Sequence, residues 1–132
     1  MRDLHDDLSS VTSIRSQAVT ATVNGTGAGC AGYNGATVLI DLGTFAGTTP
    51  SATIKVQESD DGSTYTDVAA ADLVGGQLAA IDTTNDEALY ERGYIGSKQY
   101  LRVAVTAISG TGPSLPMCAV VVRGYPRTKP AS

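Results

Sequence analysis

The stretch that decides the fold runs Tyr100-Leu101-Arg102-Val103-Ala104-Val105-Thr106-Ala107-Ile108. Apolar Leu101, Val103 and Val105 occupy every second position. Since successive side chains of a strand point to opposite faces of a sheet, this period predicts a strand with one buried face. A second run, Met117 to Val122, is apolar on both faces, which predicts a central strand or a strand whose outer face is covered by a partner. We expect the Gly- and Pro-rich segment between them, Ser109 to Pro116, to be a loop.

The same period recurs along the chain, interrupted by turn residues. Further strands are predicted over 18–23, 38–42, 53–58, 64–68, 78–81 and 89–95. The clearest hairpin centres on Asp61-Gly62, because Asp and Gly tolerate the positive φ of a tight turn. A single helical turn is predicted over 69–74. No interior helix is long enough to connect parallel strands, so the sequence predicts an all-β fold: an antiparallel β-sandwich, jelly-roll-like or Ig-like.

The length and the apolar pattern divide the chain into one domain with two ends. The 132 residues have room for a single core. We divide them into an N-terminal arm (1–15), a β-sandwich domain (16–126) and a C-terminal tail (127–132). In the arm, Leu4, Leu8 and Val11 are spaced like one face of a short amphipathic helix that Asp3 would cap. An isolated helix of this length is marginal in water, so a partner surface would have to hold it.

Charge and hydropathy exclude several classes of partner. The net charge is −4, and an acidic chain lacks the positive field that attracts nucleic acid. No apolar run approaches the roughly 20 residues of a membrane helix, and the first residues lack the apolar core of a secretory signal. We therefore expect neither a nucleic acid nor a membrane as partner. Cys30 and Cys118 predict two free thiols rather than a disulfide, with one of them packed in the core.

Few residues offer catalytic or metal-binding chemistry. The single histidine, His5, lies on the predicted arm, a poor place to hold a nucleophile and base in register. The carboxylates of Asp60 and Asp61 are explained by the hairpin turn. Together with Asp67 they supply too few oxygens for calcium. We expect no enzymatic activity, no catalytic residue, no cofactor, no metal and no small-molecule substrate.

Four segments of the chain resemble a widespread family of small tailed-phage proteins. They are MRDLHDDL (1–8), QESDDGS (57–63), GYIGSKQYLRV (93–103) and AVVVRGYP (119–126). Members of that family resemble one another over essentially the whole chain and are often encoded near the major capsid protein. The resemblance implies a structural virion protein, and capsid decoration (cement) is the first hypothesis. The alternatives are a tail, neck or head–tail adaptor protein and a carbohydrate-binding module on the particle surface.

The resemblance also implies partners and surfaces. A decoration protein binds the major capsid protein, commonly as a homotrimer, on the capsid surface of a virion assembled in the host bacterial cytoplasm. The hypothetical capsid-binding arm comprises Arg2, Asp3, Leu4, His5, Asp6, Asp7, Leu8 and Val11. The hypothetical oligomer interface comprises Tyr90, Arg92, Tyr94, Tyr100, Arg102, Val120, Val122 and Tyr125, although the tyrosines fit a core position equally well. Deletion of residues 1–13 is expected to leave a folded protein that no longer binds capsids.

Overall fold

The computed structural model describes residues 3–126. Within that range the chain forms nine strands, all paired antiparallel, and two 3-10 helices of three residues, His5–Asp7 and Ala70–Asp72. The strands are β1 (Leu8–Val19), β2 (Val23–Asn24), β3 (Ala28–Gly29), β4 (Tyr33–Leu42), β5 (Ala46–Ser59), β6 (Thr66–Asp67), β7 (Leu73–Val74), β8 (Leu89–Tyr94) and β9 (Tyr100–Pro126). The prediction of an antiparallel all-β fold is confirmed.

The long strand β9 belongs to two sheets. Its C-terminal half lies between β1 and β4, with β8 and β7 beyond β4, and we call this group the first sheet. Its N-terminal half lies between β5 and the short strands β2 and β3, with β6 beyond β5, and we call this group the second sheet. The two sheets are therefore parts of one curled sheet, joined through a single strand.

The segment Ser109 to Pro116 lies inside β9, so the prediction of a loop was wrong. The ladder between β9 and β5 continues into it, since Ala46 pairs with Ser114. Positive φ values at Gly110 (113°) and Gly112 (61°) are conformations that glycine adopts without strain. Glycine thus bends the strand here without ending it, and the sequence pattern alone does not distinguish a bend from an end.

The two sheets enclose one hydrophobic core. The alternation predicted for Leu101, Val103 and Val105 is confirmed, because all three are fully buried. The same core receives Ile14, Val38, Ile40, Ile54, Val56, Leu115, Ala119 and Val121. Burial of one large aliphatic side chain stabilises a fold by about 1.5–3 kcal/mol, so this core is the main source of stability.

Polar contacts tie the two sheets together. The Ser13 hydroxyl of β1 donates to the Thr26 carbonyl and accepts from the backbone N–H of Val103, both at 3.0 Å. The Tyr94 hydroxyl of β8 donates to Glu58 Oε1 of β5 at 2.6 Å. Burial, followed by this hydrogen bond, raises the pKa of Tyr94 above its ordinary value.

A third tie is formed by Arg123 near the C-terminal end of β9. Its Nη1 donates to the carbonyl of Gly29 at 2.8 Å and its Nη2 to the hydroxyl of Ser9 at 2.7 Å. The guanidinium carbon lies 4.6 Å from the centre of the Tyr33 ring, a cation–π distance. Arg123 therefore links β1, β3 and β4 through a single side chain.

The boundary predicted between an arm and a body at residue 15 is not observed. β1 begins at Leu8, which pairs with Gly124 of β9, and the pairing continues to Val19, which pairs with Leu115. Val11 packs against the core and Ile14 is buried, so the predicted helix face is part of a strand instead. The segment before the sheet is limited to residues 3–7, in which Asp3 Oδ1 accepts from the N–H of His5. Arg2 and the predicted tail 127–132 lie outside the described residues.

The hairpin predicted around Asp61-Gly62 is present and connects β5 to β6 through residues 60–65. Gly62 has a φ of 76°, a conformation that glycine adopts without strain. The Asp61 carboxylate accepts from the N–H groups of Thr64 and Ser63 and from the hydroxyl of Ser59. These hydrogen bonds favour the ionised form and lower the pKa of Asp61 to about 2.

Three smaller predictions met different outcomes. The helical turn predicted over 69–74 is confirmed in part by the 3-10 helix Ala70–Asp72. The predicted strand at 78–81 is reduced to one bridge between Ile81 and Ala52. Both cysteines are free, as predicted, and Cys30 is the one that packs against the core.

Candidate protein-binding surface

The outward side of the first sheet is a surface of mixed character with apolar side chains at its centre, and we call it the outer face. Its rows follow from the strand register, because residues paired across antiparallel strands lie on the same face. The rows are Ser10, Val122, Thr37, Gly93 and Val74; then Thr12, Val120, Leu39 and Glu91; then Cys118, Asp41 and Leu89. Val120, Val122 and Leu39 remain half-buried although no described strand covers them.

The exposed large apolar side chains are concentrated on this side of the molecule. Among residues 3–126 they are Leu4 (61% exposed), Leu8 (39%), Val74 (59%), Leu89 (58%), Ile95 (65%) and Tyr125 (79%). Leu8, Val74, Leu89 and Tyr125 belong to strands of the first sheet, Ile95 directly follows β8, and Leu4 precedes the 3-10 helix that leads into β1. A cluster of exposed apolar side chains typically marks a protein–protein interface. Single apolar side chains scattered over a surface are normal and indicate no interface.

A groove lies at one end of the outer face, and we call it the end groove. It is lined by the side chains of Leu4, Leu8, Ile95 and Tyr125 and has a volume of about 860 Å³. Its floor includes the paired residues Gly35 and Gly124, as well as Gly93 of β8. A side chain at position 35 would collide with the Tyr125 ring, because a Cβ atom there would lie 2.9 Å from Cδ2 of that ring.

One acidic residue, Asp7, lines the end groove, and Asp3 and Asp6 lie in the same short segment before β1. The Nδ1 atom of His5 lies 3.1 Å from Asp6 Oδ1. That hydrogen bond, followed by the charges of Asp6 and Asp3, raises the pKa of His5. The groove thus combines apolar residues with one acidic side chain, next to a segment that carries two more.

The hypothetical oligomer interface does not form one surface. Tyr90, Arg92 and Tyr94 lie on the inward side of β8, since they pair with Ile40, Val38 and Ala36. The Tyr90 hydroxyl donates to the Asn85 carbonyl at 2.6 Å, and Arg92 Nε donates to the Gly76 carbonyl at 2.9 Å. These three side chains make hydrogen bonds within the chain and do not share a surface with Val120 and Val122.

The remaining predicted interface residues are divided between the two sheets. Tyr100 and Arg102 lie on the outward side of the second sheet, where the Tyr100 ring packs close to Gly62 of the hairpin. Arg102 lies 3.9 Å from the centre of the Tyr65 ring. Only Val120, Val122 and Tyr125 of the predicted set lie on the outer face or the end groove. Of the predicted arm, Leu4, Asp7 and Leu8 line the groove, and Val11 packs against the core instead.

Four apolar residues of these surfaces were not predicted from the sequence: Val74, Leu89, Ile95 and Leu39. In the sequence, they are apolar positions in strand-like segments, and such positions predict burial. Val74, Leu89 and Ile95 are exposed because they lie at the margin of the sheet or on its outward side, and strand pairing determines that position. The signal that was available is the two-sided apolar character of Met117 to Val122, which indicated a partner or a central position.

A second cavity, of about 420 Å³, lies between the segments 30–36 and 94–99. Its lining includes Cys30, Tyr33 and Lys98. Burial raises the pKa of the Cys30 thiol, which makes it a weaker nucleophile at neutral pH. The Lys98 ammonium forms an ion pair with Asp60 Oδ2 at 2.8 Å.

Within residues 3–126, no three His, Cys, Asp or Glu side chains lie close enough together to hold a metal ion. The described part of the chain also contains no helix of the length and apolarity needed to cross a membrane.

Comparison with known proteins gives a likeness in fold. No protein-family model matches the chain, and no curated protein matches it. Among solved structures, the crystal structure of the SPBc2 prophage-derived protein YomS matches with a TM-score of 0.50 and 20% sequence identity. The alignment covers 88% of this chain and 93% of that one. At this identity the likeness shows the fold alone, and no family model supports the resemblance to the family of small tailed-phage proteins.

Proposed function

We propose that the chain is a non-enzymatic structural protein of a tailed-phage particle, bound to the major capsid protein on the outside of the shell. The observation that carries the proposal is the end groove, where four exposed large apolar side chains meet beside an acidic segment. Such a surface suits attachment to another protein. The fold likeness to a prophage-derived protein supports a phage origin.

The groove offers two kinds of contact with a shell protein. Leu4 and Tyr125 would bury apolar area, and the carboxylates of Asp3, Asp6 and Asp7 would pair with lysine or arginine on the partner. Exposed charge pairs contribute chiefly to the rate and orientation of association, while apolar burial supplies most of the affinity. Many copies on one shell would add avidity to individually weak contacts.

The test begins with particles of the phage or prophage that encodes the chain. Mass spectrometry is expected to find the chain in purified virions, and cryo-electron microscopy is expected to place its density on the shell lattice. Density at the tail or neck would instead indicate a tail, neck or adaptor protein. Absence of the chain from intact particles would contradict a virion role altogether.

A shortened deletion tests the attachment surface. Because Ser13 and Ile14 are buried parts of β1, deletion of residues 1–13 would disrupt the sheet, contrary to the expectation from sequence. Deletion of residues 1–7 leaves β1 intact and is expected to reduce binding to undecorated shells at least tenfold, measured by co-sedimentation. Leu4→Ser should weaken binding in the same direction, while Val74→Ser, similarly exposed but outside the groove, serves as the matched control.

A further inference from the structure

We infer that Tyr125 is the anchor residue of the end groove, and that its ring receives a lysine or arginine side chain of the protein bound there. This contact belongs to the surface proposed above for attachment to the shell, so the inference rests on that proposed function. Gly35, which pairs with Gly124 across the floor of the groove, positions the ring.

The backbone of Tyr125 has an unfavourable conformation. Its φ is 50°, in the left-handed region, where a bulky residue is rarely found. Pro126 follows directly, and a residue before proline is ordinarily extended. Backbone strain of this kind persists only where the surrounding structure holds it, and it is concentrated at sites that bind ligands or partners. An ordinary strand end does not require it.

The positive φ places the ring on the outward side of the first sheet. Strict alternation along β9 would place the side chain of Tyr125 on the same side as the buried Val121. The ring lies instead against Gly35, where its Cδ2 atom is 2.9 Å from the position of a Cβ atom on that glycine. The strained residue thus carries a large aromatic side chain to the groove, where 79% of it is exposed.

Gly35 supplies the space that the ring occupies. Positions 35 and 124 are paired across β4 and β9, and both are glycine, so this part of the floor carries no side chain. The φ of Gly35 is not positive, so its backbone conformation is open to any residue. Glycine is needed here because a methyl group would displace the ring, and not because of the backbone.

The charge of the groove favours a cation as the group that contacts the ring. Among the described residues that line the groove, Asp7 is acidic and none is lysine, arginine or histidine. The Asp7 carbonyl oxygen lies 3.8 Å from the position of a Cβ atom on Gly124, the residue before Tyr125. A cation is attracted both by the face of a tyrosine ring and by a nearby carboxylate.

Other tyrosine rings of this chain already make such a contact. An arginine guanidinium lies over the rings of Tyr33, Tyr65 and Tyr90, at 4.6, 3.9 and 5.6 Å from the ring centre. Among residues 3–126, no lysine or arginine covers the ring of Tyr125 in this way. Its exposed face is therefore open to a cation that a partner supplies.

Substitutions of Tyr125 test the anchor by co-sedimentation with undecorated shells of the phage or prophage that encodes the chain. Tyr125→Ala should weaken binding at least tenfold, as truncation of a central aromatic side chain does. Tyr125→Phe keeps the aromatic face and should bind like the natural chain. Tyr125→Leu keeps apolar bulk without that face and should bind roughly three- to thirtyfold more weakly. Equal binding by Tyr125→Leu and the natural chain would overturn the inference.

Fluorinated phenylalanines incorporated at position 125 test the charge of the bound side chain. Each added fluorine withdraws electrons from the ring and weakens the negative potential of its face, while the shape changes little. Binding to the shells should therefore decrease stepwise with the number of fluorine atoms. Affinity that is independent of fluorination would contradict a cation over the ring.

Gly35→Ala tests the positioning role. It should weaken shell binding at least fivefold in the natural chain, and it should have no further effect in Tyr125→Ala, which has no ring to displace. An equal loss in both backgrounds would mean that Gly35 has a merely structural role and would overturn the assignment. Gly29→Ala is the matched control, because a Cβ atom there meets one ring carbon at an ordinary 3.8 Å, and it should bind normally.

Tyr125→Gly separates binding from stability without a shell. Glycine adopts this φ without strain and little buried area is lost, so the Tm should equal or exceed that of the natural chain. A Tm lower by more than about 4 °C would show that the fold itself needs the ring, and would overturn the inference. If the natural chain does not bind shells, the proposed function fails and the inference fails with it. If it binds and the Tyr125 and Gly35 variants bind equally well, only the inference fails.

Discussion

On the outward side of β9, the N-terminal half carries the polar Arg102 and Thr106, with a fully buried Ala104 between them, and the C-terminal half carries Cys118, Val120 and Val122. The inward positions of the two halves include buried apolar side chains: Leu101, Val103 and Val105 in the first half, and Met117, Ala119 and Val121 in the second. The same strand therefore serves one core but presents two different outer surfaces. Packing into the core therefore determines only the inward side chains of each sheet. The outward side chains depend on what that side of the sheet contacts.

The outward side of the second sheet is satisfied within the chain. Arg102 Nε donates to Gln57 Oε1 at 2.9 Å, and Gln57 Nε2 donates to Asp67 Oδ1 at 2.9 Å. The guanidinium group of Arg102 also stacks on the ring of Tyr65. The outer face of the first sheet has apolar side chains at the corresponding positions. A polar network needs no partner, whereas half-exposed apolar rows gain free energy when one covers them.

The largest expected effect tests whether the two halves share one core. Leu101 and Leu115 lie in different halves of β9, and both are fully buried. Leu101→Ala and Leu115→Ala should each lower the free energy of unfolding by about 2–5 kcal/mol, because each leaves a cavity in the same core. Chemical denaturation should show a single transition for both variants. Separate transitions for the two sheets would show that they unfold independently, which contradicts a shared core.

A smaller effect is expected from the polar network of the second sheet. Arg102→Ala removes the cation–π contact with Tyr65 and the hydrogen bond to Gln57, which should cost about 0.5–1.5 kcal/mol of unfolding free energy. The mass of the protein in solution should not change. Arg15→Ala, at an exposed position of β1, is the matched control and should change stability by no more than about 0.5 kcal/mol. A loss of stability far outside this range would contradict a polar network that lies on the outward side of the second sheet.

The smallest effect concerns the hairpin that borders the second sheet. Since the pKa of Asp61 is lowered from 3.8 to about 2, the ionised carboxylate contributes stability above pH 3.8. That contribution is lost as the pH falls through about 2. Asp61→Asn should slightly lower stability at neutral pH and flatten its decrease in acid. A carboxyl titration followed by NMR should give a midpoint near 2, and a midpoint at 3.8 would show that the turn does not hold the carboxylate.

Much of the fold was predictable from local pattern. The period of two at Leu101, Val103 and Val105 predicted strands and an antiparallel all-β fold, and Asp61-Gly62 predicted the hairpin. These features depend on backbone preferences and on burial of alternate side chains, which neighbouring residues determine. The sequence also indicated that Met117 to Val122 would be central or covered by a partner, and it is central in the first sheet.

Other features were decided by tertiary pairing. Residues 8–15 looked like an arm because their apolar spacing also fits a helix, but pairing with β9 makes them a strand and buries Ile14. Ser109 to Pro116 carried the residues of a loop, yet the ladder with β5 keeps β9 continuous. In both cases a segment that lies distant in the sequence supplied the hydrogen bonds.

The sequence by itself determined that this protein folds as antiparallel strands around an apolar core, because the period of two can be satisfied only when alternate side chains leave water on one side. The tertiary structure alone decided which apolar side chains stay outside. The inward or outward direction of Tyr90, Arg92 and Tyr94, and the gathering of Leu4, Leu8, Ile95 and Tyr125 in one groove, follow from strand register and sheet curl. Those are properties of distant segments in contact, and no local pattern encodes them.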